Sequence, residues 1–159
     1  PLDVMTLLNK RFSEESMFGS YFTIIYGVLE MTTGVLRYVR AGHPPMAHLH
    51  KQSTQPVFPR EGCPPIGMDL EITFEETLVN AQPGDRFFLY SDGIIESRNP
   101  QTGLFFGEKN LGRIIGQNQG SPLSQTLDNV MHALELWREN SPAEDDVTIL
   151  GFELDQGFR

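Results

Sequence analysis

Cysteine is nearly absent from this chain of 159 residues. Cys63 stands alone, so no intrachain disulfide can form and a reducing compartment is expected. Long apolar runs are absent too: none reaches the roughly 18 residues that a membrane span needs. The N-terminal PLDVMTLLNKRF has no basic segment followed by an apolar one and a cleavage site, so it is not a secretory leader. Together these features predict a cytoplasmic location. Basic residues are scarce, 12 Lys and Arg against 21 Asp and Glu, which leaves a formal net charge of −9. Such a surface repels phosphate backbones, so no nucleic-acid partner is expected, whereas surplus carboxylates suit divalent cations. Internal repeats and low-complexity segments are also missing. With 39% hydrophobic and 21% charged residues, the composition is that of an ordered globular chain of one domain, 1–159.

The patterns that are present alternate between two periods. Leu2, Met5, Leu8 and Phe12 recur at helical spacing, so the chain opens on a helix with one apolar face. YFTIIYGVL (21–29) and VLRYVRA (35–41) read as the arms of a β-hairpin joined through EMTTG, where Gly34 can take positive φ. Pro44 and Pro45 break the second arm, and MAHLH (46–50) reads as a third strand. Residues 51–67, rich in proline and with Gly62 and Gly67, read as an ordered loop. ITFEETLV (72–79) alternates again, and a Pro83-Gly84-Asp85 turn leads into RFFLYS (86–91). These strands in series predict an antiparallel meander. EKNLGRIIG (108–116) reads as a short helix. Ser121 as N-cap and Pro122 at the first turn predict a longer one, with Leu123, Leu127, Val130, Met131, Leu134 and Trp137 on its apolar stripe. VTILGFEL (147–154) closes the chain as a strand. The predicted class is α+β, an antiparallel β-sandwich flanked by helices.

Carboxylates fall at two strand ends. Asp92 follows RFFLYS, and Asp145-Asp146 precede VTILGFEL. In antiparallel neighbours the end of one strand lies beside the start of the other, so these acids can converge on one rim. Converging carboxylates repel one another and suit a hard cation such as Mg²⁺ or Mn²⁺. Taken alone, each piece reads better as ordinary structure: Asp-Gly as a turn, and Asp-Asp before a strand as a loop end or cap. His48 and His50 form an H-x-H pair able to bind zinc or copper, but no third ligand comes with them, and the pair reads as an exposed strand face. His43, between Gly42 and Pro44, reads as a turn residue. Cys63 and Trp137 read as packing residues.

The order of motifs then carries a resemblance. YFTIIYGVLEMTTGVLRYVRAGHPP, GCPPIGM, PGDRFFLYSDGIIESRN, FFGEKNL and EDDVTIL together resemble the metal-dependent (PPM, type 2C) protein phosphatases, in the branch of the bacterial sporulation stage II E and sigma-regulator U phosphatases. The resemblance implies a β-sandwich with two Mn²⁺ or Mg²⁺ ions in a carboxylate cleft. It also implies direct hydrolysis of phosphoserine or phosphothreonine by a metal-activated water, with no catalytic group beyond the metal ligands. It assigns Asp92 and Asp145 as metal ligands, Gly93 as a point of close backbone approach, and Asp146 to the surroundings of the ligands. The implied partner is a phosphoprotein of sigma-factor regulation, of the anti-anti-sigma type.

Two acidic motifs that the family carries N-terminal to this region, of the G-D-x-x-D and D-x-x-G-H-G kind, do not occur here. The chain therefore resembles the C-terminal two-thirds of the domain. Weak metal binding and little turnover are expected of it alone, and its exposed sheet edges suit a homodimer. The alternative is a degenerate phosphatase fold serving as a binding module in signalling.

Overall fold

The leucine and methionine spacing at the N-terminus does form a helix, α1 (Leu2–Glu15), in which Met5 is wholly buried. Among the described residues, six strands and three further helices follow: β1 (Ile24–Glu30), β2 (Val35–Ala41), β3 (Ala47–Leu49), β4 (Thr77–Asn80), β5 (Arg86–Tyr90), α2 (Asp92–Ile95), α3 (Gly107–Gln117), α4 (Leu123–Trp137) and β6 (Ile149–Glu153). The structure, a computed structural model, describes residues 1–15, 21–68 and 71–155. Its contacts divide into two units, Pro1–Pro45 with Arg60–Ala81, and Met46–Pro59 with the residues from Gln82 on.

The first unit is an antiparallel sheet in the order β1-β2-β4. The predicted hairpin forms in the register Glu30↔Val35 to Ile24↔Ala41. Gly34 turns it at φ 74° and donates its N–H to the Glu30 carbonyl at 2.9 Å. Met5, Val39, Ala41 and Ile66 form the core of this unit, with Leu8, Phe22, Ile24 and half-buried Cys63 packed around it. The strand expected over 72–79 is shorter and later, because β4 pairs only with Val35–Tyr38 of β2. Beyond Tyr38 that edge is taken: the Arg40 carbonyl accepts the Cys63 N–H at 3.0 Å, and Ala41 bridges to Cys63.

The meander is not formed. The chain leaves the first sheet after β2, since Pro44 and Pro45 cannot continue a ladder, and places β3 in a second sheet before returning for β4. That second sheet, in the other unit, runs β3-β5-β6 and is also antiparallel. Phe88 and Tyr90 of β5 face α3 and α4, forming a core with Ala47, Leu111, Ile115, Val130 and Leu134. Phe87 points the other way, stacked between His48 and Phe152 of the neighbouring strands. Fully burying side chains such as Val130 or Leu134 contributes about 1.5–3 kcal/mol each. Of the stripe predicted for α4, Val130 and Leu134 lie in this core and Leu123, Leu127 and Trp137 pack on it, while Met131 is not among its residues.

The start of α4 differs from expectation. Pro122, not Ser121, is the N-cap, with extended ψ of 145° and no side-chain cap bond. Ser121 is engaged elsewhere, its carbonyl accepting Arg86 Nη2 at 2.8 Å. Arg86 also donates Nη1 to the Asn118 carbonyl at 3.2 Å and pairs through Nε with Glu153 at 2.7 Å. One guanidinium thus ties β5 to β6 and to the α3–α4 connection.

Candidate functional site

Strand β5 has candidate functional groups at both ends. At its C-terminal end the register Tyr90↔Ile149 sets Ser91 beside residues 146–148, as antiparallel pairing predicted. The Ser91 N–H donates to the Thr148 carbonyl at 3.0 Å, and its hydroxyl donates to the Asp146 carbonyl at 2.7 Å while accepting the Thr148 N–H at 2.9 Å. Ser91 is also the N-cap of α2, so Asp92 opens a short helix rather than a plain turn.

Asp92, Asp145 and Asp146 are all exposed. Gly93 is buried, and a Cβ built on it would meet the Asp146 carbonyl oxygen and stand 3.0 Å from the Asp146 carbonyl carbon. Only glycine permits this approach, which draws the Asp92 and Asp145-Asp146 backbones together. Asp92 Oδ1 accepts the Gly93 N–H at 3.0 Å, and Asp145 Oδ1 accepts the Asp146 N–H at 2.7 Å. The Gly93 carbonyl accepts the Ser97 hydroxyl at 2.7 Å. A cavity of about 280 Å³ opens here, lined by Gly93, Glu96, Arg98, Arg138, Glu144 and Asp145. Arg98 and Arg138 were not singled out in the sequence; they add two guanidiniums beside the acids. Exposed carboxylate oxygens are the donor type that hard divalent cations prefer, so this rim fits Mg²⁺ or Mn²⁺.

The N-terminal end of β5 departs from expectation. His48 is 2% exposed, not a residue of a solvent-facing strand; only His50 is exposed. The third donor group missing from the sequence reading is Asp85, itself 1% exposed. His48 Nε2 lies 3.0 Å and His50 Nδ1 3.3 Å from Asp85 Oδ2. Among the described residues this is the group of three side chains whose metal-ligating atoms lie within 4.8 Å of one another. Burial lowers the His48 pKa, against the opposing hydrogen bond to Asp85. Burial also pushes the Asp85 carboxyl up, but the N–H groups of Lys51 and Gln82 and the His48 ring outweigh it and hold the carboxyl below its ordinary value. His43 bonds the Pro44 carbonyl through Nδ1 at 2.9 Å, the turn role expected of it. Burial pushes the Cys63 thiol up, which keeps it protonated and matches a packing role. Among the described residues, no helix is long and apolar enough to cross a membrane.

The family profile "Stage II sporulation protein E (SpoIIE)" matches residues 1–155. Protein IcfG of Synechocystis sp. (strain ATCC 27184 / PCC 6803 / Kazusa) is 28% identical over 138 residues, covering 87% of this chain and 21% of that protein. Phosphoserine phosphatase RsbP of Bacillus subtilis (strain 168) is 24% identical over 150 residues, covering 92% of this chain and 35% of that one. The chain thus spans about a fifth and about a third of these two relatives. Among solved structures, the SiaA-PP2C domain of Pseudomonas aeruginosa superposes with a TM-score of 0.84 at 17% identity, over 98% of this chain and 61% of that one. This likeness gives the fold: α+β with antiparallel sheets of the type 2C phosphatase kind. With the motif order expected of the PPM phosphatases and a profile match over nearly its whole length, the chain belongs to the stage II sporulation protein E (SpoIIE) family.

Proposed function

We propose that the chain is part of a single metal-dependent serine/threonine phosphoprotein phosphatase domain, with Asp92 and Asp145 as ligands for Mn²⁺ or Mg²⁺. The observation that carries this reading is the close approach of Gly93 to the Asp146 carbonyl, which brings two exposed carboxylates to one rim. When bound, two such ions activate water and offset the charge that develops on phosphate during in-line displacement. The chain's own residues do the rest. The Asp92 carboxylate is held at the start of α2 by the Gly93 N–H, and that of Asp145 by the Asp146 N–H. Asp146 contributes its backbone carbonyl to the Ser91 hydroxyl, so its role is to hold the rim. Arg98 and Arg138, lining the adjacent cavity, would bind and orient a phosphoryl group. No side chain acts as nucleophile, in keeping with the protonated Cys63.

The substrate of this reading is a phosphorylated anti-anti-sigma-type protein in the cytoplasm; support comes from the phosphoserine phosphatase RsbP among the relatives. The test is hydrolysis of p-nitrophenyl phosphate with and without Mn²⁺. Turnover by this chain alone is expected to be low; what there is should require Mn²⁺ and fall by more than roughly 100-fold in both Asp92→Asn and Asp145→Asn, a loss beyond that from disturbing a group behind a ligand. Activity indifferent to both changes would remove these residues from the site. A wild type with no turnover would fit the missing N-terminal acidic motifs as well as the binding-module alternative, and adding those motifs in front of the chain separates the two: restored activity supports the enzyme.

A further inference from the structure

We infer that His48, His50 and Asp85 form a second cation site, separate from the carboxylate rim and selective for Zn²⁺. The two places lie at opposite ends of β5: Asp85 precedes the strand and Asp92 follows it. Seven residues at about 3.3 Å each separate them by roughly 20 Å, too far for shared ligands.

Three observations carry the site. The first is convergence. Asp85 Oδ2 is approached by His48 Nε2 at 3.0 Å, His50 Nδ1 at 3.3 Å and the Gln82 N–H at 3.1 Å. A carboxylate oxygen has two lone pairs, so two imidazole nitrogens and an amide crowd one acceptor beyond its need. A cation among these atoms would turn the crowding into coordination. The second is spacing. Ligand bonds of about 2.0–2.1 Å in a tetrahedron place ligand atoms roughly 3.3 Å apart, close to the two separations seen here.

The third is preorganisation. The His48 ring is fixed by stacking on Phe87, 4.3 Å between centroids and 8° between planes. The second oxygen of Asp85 is held by the Lys51 N–H at 2.9 Å. Two of the three ligands are therefore locked before binding, while the His50 side chain, 51% exposed, is free to adjust. His50 and Asp85 also line an open cavity of about 430 Å³, which supplies an entry path and room for water as fourth ligand. Two imidazoles and one carboxylate are the donors Zn²⁺ takes, whereas Mg²⁺ and Mn²⁺ favour sets of oxygens.

The experiment is a Zn²⁺ titration of the untagged protein against a chromophoric chelator, with Co²⁺ absorption reporting the geometry. One Zn²⁺ per chain is expected, with four-coordinate Co²⁺ bands. His50→Ala, a change at an exposed ring, should keep the circular dichroism of the wild type and weaken Zn²⁺ binding by more than roughly 100-fold. Cys63→Ser and Asp92→Asn should leave it unchanged. Absence of stoichiometric binding by the wild type, wild-type affinity in His50→Ala, or loss of binding in Asp92→Asn would each overturn the site.

Discussion

Gly93 packs its backbone against the carbonyl of Asp146, leaving no room for a β-carbon. Gly93→Ala must push the residue 145–146 segment away from α2. A loss of about 1–3 kcal/mol in stability is expected, as for other overpacked sites. Gly120 is the control: a Cβ there meets nothing within 4 Å, and Gly120→Ala should stay within about 0.5 kcal/mol of the wild type. Urea midpoints of the two variants decide the matter, and equal midpoints would contradict it.

A similar contrast exists within α3. A Cβ on Gly116 would collide with the Thr54 carbonyl, whereas one on Gly112 would stand 3.2 Å from the Phe58 ring. Alanine gains up to about 1 kcal/mol of helix propensity over glycine at either position. Gly116→Ala is expected to lose more than this gain, and Gly112→Ala to come out near neutral. Thermal unfolding of both checks the order.

Arg86 donates to Asn118 and Ser121 and pairs with Glu153. Hydrogen bonds from a charged group contribute about 1.5–3 kcal/mol, and two of these go to backbone carbonyls. Arg86→Ala should therefore cost about 2–4 kcal/mol. Arg86→Lys should recover less than half of that, because a single ammonium cannot span three acceptors arranged for a fork. Glu153→Ala should cost less, since the Glu153 side chain is 40% exposed and solvent screens its half of the pair.

Alkaline pH should weaken the fold from the first unit. Burial raises the Tyr38 hydroxyl above its ordinary 10.0, partly offset by Thr77, and raises the Cys63 thiol above 9.0, partly offset by Arg40. For each, the unfolded chain gives up its proton first, so stability is intact below about pH 9 and falls as pH rises through 9 and then 10. Urea midpoints at pH 7.5, 9.5 and 10.5 should show this fall, and Tyr38→Phe combined with Cys63→Ala should flatten it. A slope unchanged by both substitutions would refute the assignment.

Local pattern carried much of this structure. The β1–β2 hairpin, α1, α3 and the apolar stripe of α4 follow from residues within a few positions of each other. What escaped the sequence depended on partners distant in the chain. The switch of β3 to the second sheet depends on which strands it pairs with, and no local period encodes that. The shortened β4 is set by Cys63 occupying the edge of β2. Asp92 and Asp145 were legible as strand-end acids, but Gly93 as the point of contact needed the register of β5 and β6. Asp85 was hidden from the histidines by 35 residues. The pairing Leu49↔Arg86 would have revealed it, since His50 and Asp85 are the next residues out on each strand.

Strand β5 also limits how this protein can vary. Phe87, Phe88 and Tyr90 are almost wholly enclosed, Phe88 and Tyr90 in the helix-covered core and Phe87 between His48 and Phe152. Substitution along the strand is thereby tolerated best at its two tips, where Asp85 and Asp92 sit. A lineage could gain or lose chemistry at one tip while the other stayed as it was, so the two are free to have separate histories.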